Sequence, residues 1–364
     1  MRTKSATVSV ENPSIAQELL AALPTSPDSY PHQLDFVREA VLIVRIDADA
    51  YRTASFLDDR ILGPKTAGGW FPIQGIANRA RGVRRSVPLH FIFHTGHVGS
   101  TLVSRLLDEA GGVLPLREPL PLRSLAEAHD VLGHPDSLLS SAQFEAARDM
   151  CLRLWARGYD ATRCVILKAT SSAGRLAVPI LGAYPAARCI YLNVGAEPYL
   201  ATLLAGENSA LDLRGHGPER MRRLEARIGP VSAALHTLSI GELAAMSWLA
   251  ETLTEHDLVG RLANRVMAVD FDAFLADVEG HLGRILAHFG IPGDPAQVSA
   301  IARSTALTRY SKAPEHAYSA VDRARVLEES RVRNAQEIRK GREWLDRLAR
   351  SSDAVASVAH PALA

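Results

Sequence analysis

The stretch Leu89–Ala110, LHFIFHTGHVGSTLVSRLLDEA, constrains this chain more than any other. Leu89–Phe93 is almost unbroken apolar sequence, the pattern of a strand covered on both faces. The loop His94–Gly99 follows at once, and Ser100 and Thr101 open a helix on which Leu102, Val103, Leu106, Leu107 and Ala110 recur at helical spacing. Gly111 and Gly112 stop that helix. A glycine loop between a buried strand and a helix N-terminus aims backbone N–H groups at one point, which makes a cradle for phosphate or sulfate. A purely structural turn can carry the same residues. The nucleoside-triphosphatase pattern G-x-x-x-x-G-K-[ST] does not fit, because it sets His94 at its first glycine and Ser100 at its lysine.

The rest of the chain reads as an α/β fold, a parallel sheet with helices on both faces. Strands are expected at Ala40–Asp47, Val113–Leu116, Arg163–Lys168, Arg188–Leu192 and Arg265–Val269. Helices are expected between them, at Ala142–Arg157, Arg175–Gly182, Glu197–Ala205, Pro218–Ile228, Gly241–His256 and Gly280–Phe289. The sequence Gly68–Pro72 reads as a turn with an aromatic plug. A long charged C-terminal helix is expected over Ala320–Arg350, interrupted once at Gly341. Three stretches result: an accessory α/β segment at 1–85, the glycine-loop domain at 86–310 and a helical extension at 311–364. In parallel sheets ligands sit beyond the C-terminal strand ends, and His97, Glu118, Lys168 and Asn193 all fall there.

The net charge of +1 gives no reason to expect nucleic acid as a partner. Cys151, Cys164 and Cys189 lie in apolar surroundings without metal-ligand spacing, so they read as buried thiols of a reducing compartment, and no metal is expected. Glu11, Asn12, Pro13 and Glu18 break any signal-peptide core, and no apolar run reaches membrane length, so a cytoplasmic protein without a membrane partner is expected.

Three stretches together resemble the sulfotransferase family, in a divergent bacterial-type form. FHTGHVGSTLVSRLLDEAG resembles its 5′-phosphosulfate loop, and CIYLNVGAEPYLATLLAG its second nucleotide strand and helix. VMAVDFDAFLADVEGHLGRILAHFGIP resembles its C-terminal strand, aromatic–acidic turn and helix, with Phe271 and Asp272 at the pair. The resemblance spans about Pro88–Pro292 and implies a P-loop-like fold. It also implies transfer of a sulfuryl group from 3′-phosphoadenosine 5′-phosphosulfate to a hydroxyl or amine of a small molecule, peptide or carbohydrate. Transfer needs N–H donors or positive charge at the sulfuryl oxygens and a base for the acceptor proton.

By that resemblance Gly96, His97, Val98, Gly99, Ser100 and Thr101 hold the donor, and Glu118 of the sequence L-R-E-P-L is the base. Glu118 also reads as a helix N-terminal charge or as a partner of Arg117. The chain departs from the family at two positions. His97 replaces the loop cation, and Val194 replaces the arginine for the 3′-phosphate, whose serine partner corresponds to Thr202. A valine cannot replace a bidentate, charge-assisted contact. Lys168 and Lys312 are candidate substitute cations, and Arg339–Lys340–Gly341 matches the family's R-K-G loop or a solvated helix face. The departures leave two other readings open: a non-catalytic nucleotide- or anion-binding protein, and a P-loop kinase-type phosphotransferase with Asp270 or Asp272 on magnesium.

Overall fold

The computed structural model describes residues 13–359; residues 1–12 of the expected accessory segment and 360–364 of the C-terminal extension lie outside the described residues. Near the N-terminus three strands pair antiparallel, β1 (Ser29–Asp35), β2 (Ala40–Arg45) and β3 (Gly68–Pro72). β2 is the expected strand, while β1 and β3 are strands that the sequence disguises. Proline and glycine ordinarily mark strand ends and turns. Here Pro31 lies beside a register shift in β1, and the supposed turn sets Gly69 opposite Ile43 and Trp70 opposite Leu42.

Five apolar runs make the second sheet: β4 (Leu89–His94), β5 (Val113–Arg117), β6 (Cys164–Lys168), β7 (Cys189–Asn193) and β8 (Val266–Asp270). Their order is β5-β6-β4-β7-β8. β6 pairs parallel with both β4 and β5. Bonds from Phe91 N–H to Arg188 C=O and from Thr95 N–H to Leu192 C=O advance four residues on each chain, as parallel strands do. Every residue of β4, β5 and β6 is buried, which is why these strands read as continuous apolar runs. From β4 the chain winds to one side for β5 and later to the other for β7. Such a reversal of strand order marks the strand's C-terminal end as a ligand position. A short hairpin, β9 (Arg309–Tyr310) and β10 (Ala313–Ala317), follows later.

The chain forms two compact units. The first takes the described residues up to Phe93, then Thr101–Cys189 and Gly283–Ala302; the second takes His94–Ser100, Ile190–Leu282 and the described residues from Arg303. Two buried arginines organise the first unit. Arg117 donates to the carbonyls of Tyr51, Arg52 and Ala54 and to Ser104 Oγ, and Arg157 donates to those of Leu23, Ser26, Ser29 and Leu154. Burial lowers both guanidinium pKa values to about 10. All three cysteines are buried, and burial pushes the Cys164 thiol up to about 11.

In the second unit the helix Ile240–Leu262 is central, and Ser239 with Glu242 forms its capping box. The C-terminal helix breaks at Asn334, giving Ala320–Arg333 and Ala335–Ala349, and not at Gly341 as its glycine suggested. Gly341 instead permits a close helix crossing: a Cβ there would lie 2.6 Å from the Gly241 carbonyl oxygen, with Leu200 closer still. Gly341→Ala is therefore expected to destabilise the fold by about 2 kcal/mol, the usual cost of overpacking against backbone. Urea unfolding checks this, and an unchanged midpoint would contradict the crossing. Among the described residues, no helix is long and apolar enough to cross a membrane.

Candidate active site

At the C-terminal end of β4 the backbone turns left-handed three times, at Gly96 (φ 104°), His97 (φ 55°) and Gly99 (φ 67°). Glycine reaches that region at no steric cost, whereas His97 does so against its Cβ. Left-handed residues set among right-handed ones can turn successive N–H groups inward, the geometry of an anion-binding nest. The helix Ser100–Glu109 begins directly afterwards, with no acidic side chain in its first turn to occupy its positive end. His97 is exposed, whereas Val98 is fully buried and anchors the loop.

Gly99 has a second reason to be glycine. A Cβ there would overlap the ring of Phe271, which follows β8 at the start of the helix Phe271–Ala276. Arg323 places its guanidinium 5.2 Å from the Phe271 ring centroid and 2.7 Å from Asp272 Oδ1. The resemblance picked out Phe271 and Asp272, but no sequence signal pointed to Arg323. The hydroxyls of Thr95 and Thr101 are buried without a hydrogen-bond partner among the described residues. An unmet buried hydroxyl costs about 1–3 kcal/mol, and an oxyanion in the loop would accept from it. Loop geometry, a helix first turn without acidic side chains and these hydroxyls together could hold a phosphate or sulfate group.

The positions that the resemblance assigns to the 3′-phosphate both lie in the second unit. Val194 is buried, and its carbonyl accepts from Trp248 Nε1 at 2.9 Å. Thr202 Oγ1 donates to the Pro198 carbonyl at 2.8 Å. Lys312 is exposed in the turn between β9 and β10. Lys340 pairs with Glu337 along a helix face, which favours the solvated-face reading of Arg339–Lys340–Gly341.

Glu118 and Lys168 come together in the first unit. They stand at the ends of the neighbouring strands β5 and β6, where Lys168 Nζ donates to Glu118 Oε1 and the Glu118 N–H donates to the Lys168 carbonyl at 2.7 Å. Lys168 is 1 % exposed and its Nζ lies 5.6 Å from the Phe56 ring centroid. Glu118 is held at φ 54°, a left-handed conformation that costs a non-glycine residue about 1–2 kcal/mol. Arg117 faces backbone carbonyls and Ser104, so it is not the partner of Glu118.

In the second unit, Asn193 at the end of β7 donates through Nδ2 to Glu255 Oε1. Glu255 is buried on the helix Ile240–Leu262, and its Oε2 has no hydrogen-bond partner among the described residues. Burial, with Asp270 adding to it, raises its pKa to about 8. Asn193 is legible in the sequence as a strand end, whereas Glu255 is not, because a lone glutamate in an apolar helix looks like any exposed charge.

Strand, loop and helix define an α/β protein with a left-handed glycine loop at a strand end. No protein-family model matches the sequence, and no curated protein matches it. Several solved structures that it resembles are sulfotransferases. Mouse sulfotransferase SULT7A1, solved with PAP, is 14% identical over 76% of this chain and 89% of its own, at a TM-score of 0.40. Sulfotransferase STF1 from Mycobacterium tuberculosis H37Rv is 13% identical over 72% of this chain and 81% of its own, at 0.39. The sulfotransferase domain from the curacin biosynthetic pathway is 13% identical over 73% of this chain and 98% of its own, at 0.38. The likeness is distant, and what the loop can hold follows from its own residues.

Proposed function

We propose that this chain is a sulfotransferase-like enzyme that transfers a sulfuryl group to a hydroxyl or amine of a small molecule, peptide or carbohydrate. The observation that carries the reading is the left-handed loop at Gly96, His97 and Gly99, which opens a helix beside the buried, unpartnered Thr101 hydroxyl. A 3′-phosphoadenosine 5′-phosphosulfate co-substrate would supply the activated sulfuryl group. The N–H groups of Val98, Gly99, Ser100 and Thr101, with both hydroxyls, hold its oxygens, and His97 adds a donor. Lys168 brings an ammonium to offset charge, Lys312 is a further candidate cation, and Glu118 takes the acceptor proton. No metal has a part in this scheme. Position 194 lacks its arginine, so donor affinity is expected to depend little on the 3′-phosphate.

Calorimetric titration of the full chain with 3′-phosphoadenosine 5′-phosphate, adenosine 5′-phosphate and magnesium-ATP tests the reading. Binding of both adenosine phosphates, with a modest preference for the first, supports it. Binding of magnesium-ATP alone favours a phosphotransferase, and binding of none overturns the nucleotide site. Once an acceptor is found, Glu118→Gln should lower turnover about 10²–10⁴-fold with donor affinity little changed, the usual loss on removing a general base. Full activity in that variant would remove Glu118 from the scheme.

A further inference from the structure

A cavity of about 500 Å³ opens in the first unit at the other end of β4, where the strand begins. Its walls come from the approach to β4 (Val87, Leu89, His90), from Arg153 on the helix Ser141–Trp155, from Arg188 before β7, and from Phe289 at the end of the helix Val278–Phe289. The size suits a small organic molecule. Its charge is one-sided: two arginines line it and no carboxylate does. Neither Arg153 nor Arg188 has a carboxylate partner among the described residues, and Arg188 spends one donor on the His288 carbonyl. A guanidinium has five N–H donors, so several remain.

Ser86 and Tyr184 add polar groups to the lining, and a further polar wall, His90, is closed to chemistry. His90 Nδ1 accepts from the Arg188 backbone N–H at 3.1 Å, and its ring stacks on Phe289 at 5.3 Å. Burial, with Arg188 and His288 beside it, lowers its pKa to about 4, so the imidazole is a flat, neutral surface at pH 7. The cavity therefore offers apolar walls, an aromatic face, two cations and the neutral polar side chains of Ser86 and Tyr184. We propose that it binds a small organic monoanion with a flat apolar body, such as an aryl carboxylate or aryl sulfonate, whose acid group meets Arg153 and Arg188. This site does not depend on what the glycine loop binds.

Calorimetric titration of the full chain with 2-naphthalenesulfonate, 2-naphthoate and neutral 2-naphthol tests the proposal. Both anions should bind one per chain, and 2-naphthol should bind at least about tenfold more weakly, the size of one charge-assisted hydrogen bond. Arg153 is exposed, so Arg153→Glu should leave the melting temperature unchanged while cutting anion affinity about tenfold or more. Arg188→Gln should weaken the anions without weakening 2-naphthol. Equal binding of 2-naphthol, anion binding untouched by Arg153→Glu, or no binding by any probe would overturn it.

Discussion

Gly99→Ala is expected to destabilise the fold by about 3 kcal/mol or more and to abolish oxyanion binding at the loop. Two penalties combine. Alanine at φ 67° pays about 1–2 kcal/mol for the left-handed conformation, and a methyl group overlapping the Phe271 ring adds about 1–3 kcal/mol of overpacking. The double variant Gly99→Ala/Phe271→Ala separates them. It removes the overlap and keeps the backbone penalty, so the two substitutions should couple non-additively, as residues in contact do. Urea unfolding of the four proteins measures the coupling. Strict additivity would mean that the ring does not fix the loop. Coupling would make Phe271 part of the loop's conformation as well as a surface beside it.

Glu255→Gln is expected to make the protein more stable at pH 8 and to leave it nearly unchanged at pH 5. The folded pKa of Glu255 is raised to about 8 from an ordinary 4.5, so the folded state keeps a proton that the unfolded chain releases. Below pH 4.5 both states hold the proton and the group has no effect. As pH rises from 4.5 to 8 only the unfolded state ionises, and stability falls by about 1.4 kcal/mol per unit. The loss levels off above pH 8, at an order of magnitude of a few kcal/mol. Glutamine keeps the acceptor for Asn193 and cannot ionise, so its stability should not fall over this window. Urea unfolding at pH 5, 6, 7 and 8 compares the two, and parallel profiles would show that Glu255 is ionised in the folded protein.

Strands β4 to β7 were legible because burial on both faces demands unbroken apolar runs, and such runs are hard to mistake. The glycine loop was legible for a related reason: only glycine takes Gly96 and Gly99 without strain. What escaped was set by tertiary contact. β3 hid behind Gly68, Gly69 and Pro72, since pairing with β2 overrides local turn chemistry. The helix break fell at Asn334 because Gly341 is needed for packing. Glu118 and Lys168 were each picked out as candidates, but nothing in their spacing announced that neighbouring parallel strands end side by side and join them. Glu255 and Arg323 carried no local pattern, because a charge matters there only through what surrounds it.

Arg117 and Arg157 fasten the N-terminal part of the first unit almost wholly through main-chain carbonyls. A carbonyl is the same whatever side chain its residue bears. The burden of recognition therefore rests on two positions, and the segments they hold, around Leu23–Ser29 and Tyr51–Ala54, are free to change their side chains wherever their backbone path survives. This is an asymmetric contract within one chain, with two arginines fixed so that two loops need not be.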